Sequence, residues 1–328
     1  MLLPPEVGPC FPENLLRLSP ASSGDPSSRR SPGKIPPADK LIAEEVSLAS
    51  FPDTYFRIVE VIGSPRSSAW HVASVVEKDT SLTAKLLKLV NSAFYSFPSR
   101  IESLPRAVAL IGGNELSTIA LGISAVSMFP DVPESFVSMK SFWRHSVATG
   151  VLARLFSITH PEVFQERVFV AGILHDIGRI VLLRRLPGAM TQALDRQQRE
   201  GIPLHEAEER VLGYDHARLG GLLLRRWQIP SAIEGAVAWH HAPARAPQAM
   251  EPALLHLADL AAIALGEGIH PEQVVPPLDE EAWRLVDLAP ESMETFVTQS
   301  ERQIAEVLEM FGADGGDPRE GLSPDGRG

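Results

Sequence analysis

From about residue 40 onward, apolar positions recur at the three- and four-residue spacing of a helix face. Residues 54–63 carry that spacing. Ser67 or Ser68 can cap a helix reaching Lys78, and Thr80 or Ser81 can cap the next, whose apolar stripe is Leu82, Leu86, Leu87 and Val90. Residues 101–111 read as a helix stopped at Gly112-Gly113, and Asn114 can cap one running to Phe129. Pro130 and Pro133 then break the chain, and a long helix is predicted over 135–158. The second half keeps the rhythm. A central helix spans 166–185, and Pro187-Gly188 separates it from another ending at Gly201. Pro203 opens a helix ending near Gly213, and Asp215 can cap the next, which stops before Pro230. Pro230 starts a helix ending in Trp239-His240-His241. Helices over 251–265, 279–288 and 290–311 follow. No run alternates apolar and polar residues as a half-buried strand would, so the expectation is an all-α fold. No fixed internal period argues for a solenoid.

Residues 168–183, VFVAGILHDIGRIVLL, are the most apolar stretch and read as a helix buried on all sides. His175 and Asp176 sit in its middle. Burying a carboxylate beside an imidazole is costly unless each finds a partner. That pair therefore calls for a hydrogen-bond network or a metal ion.

The ends differ from the middle. Residues 1–40 are rich in Pro, Ser, Gly and Arg, a composition that buries too little apolar surface to offset ordering, and read as a disordered leader. The tail 312–328 is rich in Gly, Asp and Pro and reads likewise. The 328 residues suffice for one large or two modest domains. Acidic residues outnumber basic ones by 41 to 30, a net charge of −11, which argues against a nucleic-acid partner. The single cysteine, Cys10, has no partner in the chain. No apolar run reaches eighteen residues, so no membrane span is expected. The first residues lack the basic start and apolar core of a signal peptide, and the location expected is cytoplasmic.

The second half also collects metal-ligand types: His145, His175, Asp176, His216, His240, His241 and Asp259, each on or at the end of a predicted helix. Imidazole with carboxylate suits Fe, Mn, Zn or Ni. Two such ions about 3.5–4 Å apart can activate a bridging water for attack on phosphorus.

Several ordered segments carry a family resemblance. LVNSAFYS at 89–96, RAVALIGGNEL at 106–116, FWRHS at 142–146, AGILHDIGRIVL at 171–182, YDHARLGGLLLRRWQIP at 214–230 and AVAWHH at 236–241 resemble the HDOD domain. This is an all-helical bacterial module of the wider HD superfamily. The resemblance runs over 48–262, with an N-terminal helical part over 48–130 and an HD-like part over 135–262. Residues 279–311 are then a helical extension packed on that core. By position, the resemblance implies that His145, the His175-Asp176 pair and Asp259 match the ligands of HD phosphohydrolases. In the HD-GYP branch, which hydrolyses cyclic di-GMP, His216 and the His240-His241 pair match further ligands, and Arg179 stands where a Lys is usual. After His241 the chain reads APARAPQAM, without the GYP segment of that branch. HDOD proteins are generally regarded as signalling modules. The resemblance therefore implies a regulatory module that binds signalling proteins, with a divalent metal in its HD site. The alternative it implies is a metal-dependent phosphohydrolase acting on a nucleotide or cyclic dinucleotide.

Overall fold

The computed structural model describes residues 35–44, 53–129, 137–269 and 274–311. Among the described residues there are helices and no strands. Most of the expected leader, the tail after residue 311, Pro130 and Pro133 lie outside them.

The first half comprises α1 (Ala38–Glu44), α2 (Asp53–Ile62), α3 (Ala69–Val76), α4 (Thr80–Val90), α5 (Leu104–Ile111) and α6 (Gly113–Ser127). Helix α1 begins inside the stretch read as leader and packs on the second half. There the Tyr214 hydroxyl donates to the Pro36 carbonyl and Arg226 to that of Ile42, both at 3.1 Å. Ser68 caps α3 reciprocally with His71. Helix α4 is capped by Asp79 rather than Thr80 or Ser81. Its carboxylate accepts the Leu82 N–H at 2.9 Å and adds a negative charge at the positive end of the helix. Asn114 does not cap α6. The helix starts at Gly113, and Gly112, at φ +109°, turns the chain through 114° between α5 and α6.

The second half comprises α7 (Met139–Phe156), α8 (Gln165–Leu174), α9 (Ile177–Arg185), α10 (Pro187–Glu200), α11 (Leu204–Leu212), α12 (His216–Arg226), α13 (Ser231–Trp239) and α14 (Met250–Ala264). Helices α15 (Glu280–Val286) and α16 (Met293–Phe311) follow. The single central helix expected over 166–185 is two. His175 and Asp176 form the break between α8 and α9, with Asp176 at φ −98°, ψ 2°. Residues 168–183 are buried throughout on both sides of the break. The hydrophobic pattern therefore carries no mark of the junction.

One apolar core runs through both halves. Phe94, after α4, packs on Phe169 of α8 with ring centroids 4.6 Å apart. The Arg154 guanidinium of α7 lies 4.0 Å over the Phe94 ring, and the Tyr95 hydroxyl donates to Glu166 at 3.1 Å. Asn91 closes the loop beneath them. Its side chain donates to the Ile101 carbonyl at 2.9 Å and accepts the Ile101 N–H at 2.7 Å. Helix α16 spans the halves, resting on α7 and α4. Phe296 meets Phe156 edge to face, and Lys88 pairs with Glu309 at 2.7 Å.

No single helix among the described residues is long and apolar enough to cross a membrane.

Candidate metal centre

Helix ends and breaks deliver the polar residues of the second half to one point. His145 lies within α7 and Asp259 within α14, both on faces turned to the core. The α8–α9 break turns His175 and Asp176 toward them. His216 is the first residue of α12, and His240 and His241 follow the last turn of α13. All seven side chains expected from the sequence meet in one cluster. Three overlapping groups place their ligand atoms within 4.8 Å of one another: His145, His175 and Asp176; His175, His240 and Asp259; His216, His240 and His241.

The distances are short. His145 Nε2 is 3.1 Å from Asp259 Oδ1 and 3.2 Å from His175 Nε2. Asp176 stands between the two sides of the cluster. Its Oδ1 is 3.0 Å from His216 Nε2, and its Oδ2 is 3.4 Å from His175 Nε2. Arg179, one turn along α9, approaches Asp176 Oδ2 at 3.1 Å.

The outward nitrogens decide what the inward ones offer. A carbonyl only accepts, so a ring nitrogen facing one must carry its proton. His145 Nδ1 donates to the Glu267 carbonyl at 2.9 Å, His175 Nδ1 to that of Gly172 at 2.6 Å, and His240 Nδ1 to that of Val237 at 2.7 Å. His216 Nδ1 faces the Glu208 carboxylate at 2.5 Å. In each neutral ring Nε2 is then a lone pair aimed into the cluster. One pair of them, His145 with His175, face each other, and His216 Nε2 also lies 2.9 Å from His241 Nε2. Facing lone pairs repel unless a proton or a cation lies between them. The buried His240 Nε2 has no hydrogen-bond partner among the described residues, and both Asp176 oxygens have ion-pair partners only. This fits a first-row divalent ion, whose imidazole ligands are commonly oriented by hydrogen bonds on the far nitrogen.

Charge divides the metal-free cluster. Burial disfavours the charged forms of Asp176 and Asp259, but their neighbours outweigh it. Arg179, His175 and His216 hold Asp176 well below the usual carboxylate range, and His145 does the same for Asp259. Burial opposes the charged form of His216 too, yet Glu208 and Asp176 raise it to about 9. His175 is raised against its burial mainly by Asp176. His240 and His241 are pushed well down by burial and by neighbouring imidazoles.

Sequence reading missed several contributors. Glu208 of α11 is fully buried and lies on the apolar stripe of Leu204, Ala207 and Leu212, where a carboxylate is out of pattern. His256 of α14 donates to the His240 carbonyl at 2.9 Å and accepts the Asp279 N–H at 3.1 Å, tying α13 to the start of α15. His205 stacks on His241 with centroids 4.0 Å apart. His205 and His241 are half-buried, whereas His145, His175, Asp176, His216 and His240 are fully buried. The cluster therefore reaches solvent on the His205–His241 side.

Comparison with known proteins agrees with this architecture. The HDOD domain family matches residues 48–243, more than half of the chain, and the chain belongs to that family. An uncharacterized protein of Treponema pallidum (strain Nichols) is 24% identical over 213 residues, which are 64% of this chain and 41% of that protein. The chain thus spans about two fifths of the length of that relative. Among solved structures, a Shewanella amazonensis SB2B protein named "Putative phosphohydrolase" is 20% identical, with a TM-score of 0.66 over 84% of this chain and 97% of that one. A Marinobacter aquaeolei VT8 protein named "Putative signal transduction protein" is 21% identical, with a TM-score of 0.62 over 80% of this chain and 59% of that one. At these identities the likeness is one of fold.

Proposed function

We propose that this protein is a signalling module of the HDOD family that acts by binding other signalling proteins and holds a divalent ion in its HD-type cluster. The ligands would be His145, His175, Asp176 and Asp259. His216, His240 and His241, with Asp176 shared, would hold a second ion. The observation that carries this reading is the convergence of Nε2 lone pairs whose rings are fixed by donation from Nδ1. Fe, Mn, Zn and Ni all suit such a donor set. Deep burial favours an ion that supports the fold and the surface built on it, because ion binding and folding are then coupled. The signal-transduction name of the Marinobacter protein and the absence of a GYP segment after His241 point the same way.

A second reading is a metal-dependent phosphohydrolase acting on a nucleotide or cyclic dinucleotide. One observation favours it. The His205–His241 side of the cluster reaches solvent, and Arg179 stands beside Asp176, where a cation can neutralise a phosphate.

One experiment tests both readings. Protein purified without an affinity tag, and its His175→Ala variant, are assayed for metal and for turnover of phosphodiesters. Near-stoichiometric metal in the wild type, with the ion of the His145, His175 and Asp259 subsite lost in the variant and no turnover, is the expected result. Turnover lost in the variant would replace the first reading by the second. Wild-type protein free of metal after metal-replete preparation would overturn both.

A further inference from the structure

Glu208 has no part in the ligand set, yet it is the only carboxylate among the described residues to hold the outward nitrogen of a clustered histidine. Its Oε2 accepts the His216 backbone N–H at 2.9 Å and lies 2.5 Å from His216 Nδ1. Its other oxygen, Oε1, is buried with no hydrogen-bond partner among the described residues. His145, His175 and His240 donate from Nδ1 to neutral carbonyls instead. A carboxylate is the stronger acceptor and leaves the imidazole the more electron-rich donor at its far nitrogen. The far nitrogen of His216 faces Asp176 Oδ1 at 3.0 Å and His241 Nε2 at 2.9 Å.

We infer that Glu208 is the positioning residue of the metal subsite built on His216, fixing that ring so that Nε2 is its ligand atom and strengthening the ion held there with His240, His241 and Asp176. The inference rests on reading the cluster as a metal centre. It makes the two halves of the cluster unequal. The subsite of His145, His175 and Asp259 is oriented by carbonyls and does not depend on Glu208. Loss of the charge should therefore weaken one ion and leave the other.

The test is titration of metal-stripped protein with Mn²⁺, followed by calorimetry, for the wild type and Glu208→Gln. The glutamine is near-isosteric and keeps an oxygen to accept from His216, but carries no charge. The wild type should take up two ions. In Glu208→Gln one ion should bind unchanged and the other about 10–100-fold more weakly, the usual cost of losing such an outer partner. A purely structural role would lower the unfolding temperature without separating the two affinities. Two ions of unchanged affinity in a folded Glu208→Gln would overturn the inference and leave the metal centre standing. No ion in the wild type would overturn both. Proton NMR of wild-type protein loaded with diamagnetic Zn²⁺ needs no variant. The His216 Nδ1 proton should resonate well downfield of the ring protons bonded to carbonyls. A His216 ring proton indistinguishable from theirs would count against Glu208 even if the variant failed to fold.

Discussion

At the scale of single residues, the cluster is a set of imidazoles whose protons are assigned by their outer partners. That assignment makes the metal-free protein sensitive to pH in both directions. His205, His240 and His241 are held below the ordinary histidine value, His205 to about 3, first by burial and then by neighbouring positive charge. Between their folded values and the ordinary value of about 6.5 the unfolded chain binds more protons, so their contribution is complete above that value and is lost as pH falls. His216 works in the opposite sense. Its folded value is raised to about 9, so its contribution is complete below about 6.5 and is lost as pH rises through 9. Chelated protein unfolded in guanidinium at about pH 5, 6.5 and 9 should show its highest midpoint at the middle value. A flat or monotonic series would sink this account. Five of the ligand residues followed from residue type and family resemblance, whereas His175 and Asp176 were legible in the sequence because a His-Asp pair inside an apolar helix is out of place. Glu208 gave the same kind of signal on the stripe of Leu204, Ala207 and Leu212. It escaped notice because its partner is eight residues away, in the next helix, where no local spacing joins them.

At the scale of elements, the centre depends on how closely helix backbones approach. A Cβ on Gly178 would stand 2.0 Å from the His216 carbonyl oxygen, so glycine is what lets the first turn of α9 touch the first turn of α12. That contact sets the distance from Asp176 to His216. Gly178→Ala should force the helices apart, cost about 1–3 kcal/mol of stability, and remove metal from the His216 subsite. Gly188→Ala is the control. It lies in the first turn of α10 with nothing within 4 Å of its added methyl, and should leave stability within about 1 kcal/mol and metal content unchanged. Thermal unfolding and metal analysis of both variants check this. Equal behaviour of the two would reject the role given to Gly178. Helix existence was readable from periodicity almost throughout. The break at His175-Asp176 was not, because a helix buried on every side looks the same as two such helices in series. The cap of α4 was misplaced by one or two residues because Asp79, Thr80 and Ser81 are all competent caps, and only the backbone geometry chooses among them.

At the scale of the molecule, the ligands come from α7, the α8–α9 break, α12, the end of α13, and α14, so any ion held there ties together most of the second half. Binding to the folded state alone adds stability by mass action, about 4 kcal/mol when free metal is a thousand times Kd. Removing metal should therefore lower the unfolding midpoint cooperatively for the whole chain, because one core joins the halves through Phe94, Phe169 and α16. The C-terminal helix supplies a way to separate fold from site. Phe296 is largely buried against Phe156, far along α7 from His145, and contributes no ligand. Phe296→Ala should cost about 3 kcal/mol, the lower end for emptying a buried aromatic site, and leave metal content unchanged. His145→Ala removes a ligand and opens little apolar volume, so most of its loss of stability should disappear when the wild type is also stripped of metal, the remainder being the lost contacts to Asp259 and the Glu267 carbonyl. The two variants should thus behave oppositely under chelation. The Phe296→Ala deficit persists without metal, and most of the His145→Ala deficit does not. Calorimetric unfolding of the wild type and both variants, with and without chelator, checks the contrast. A His145→Ala deficit that survives chelation intact would mean that the cluster is held by its own hydrogen bonds and ion pairs rather than by an ion.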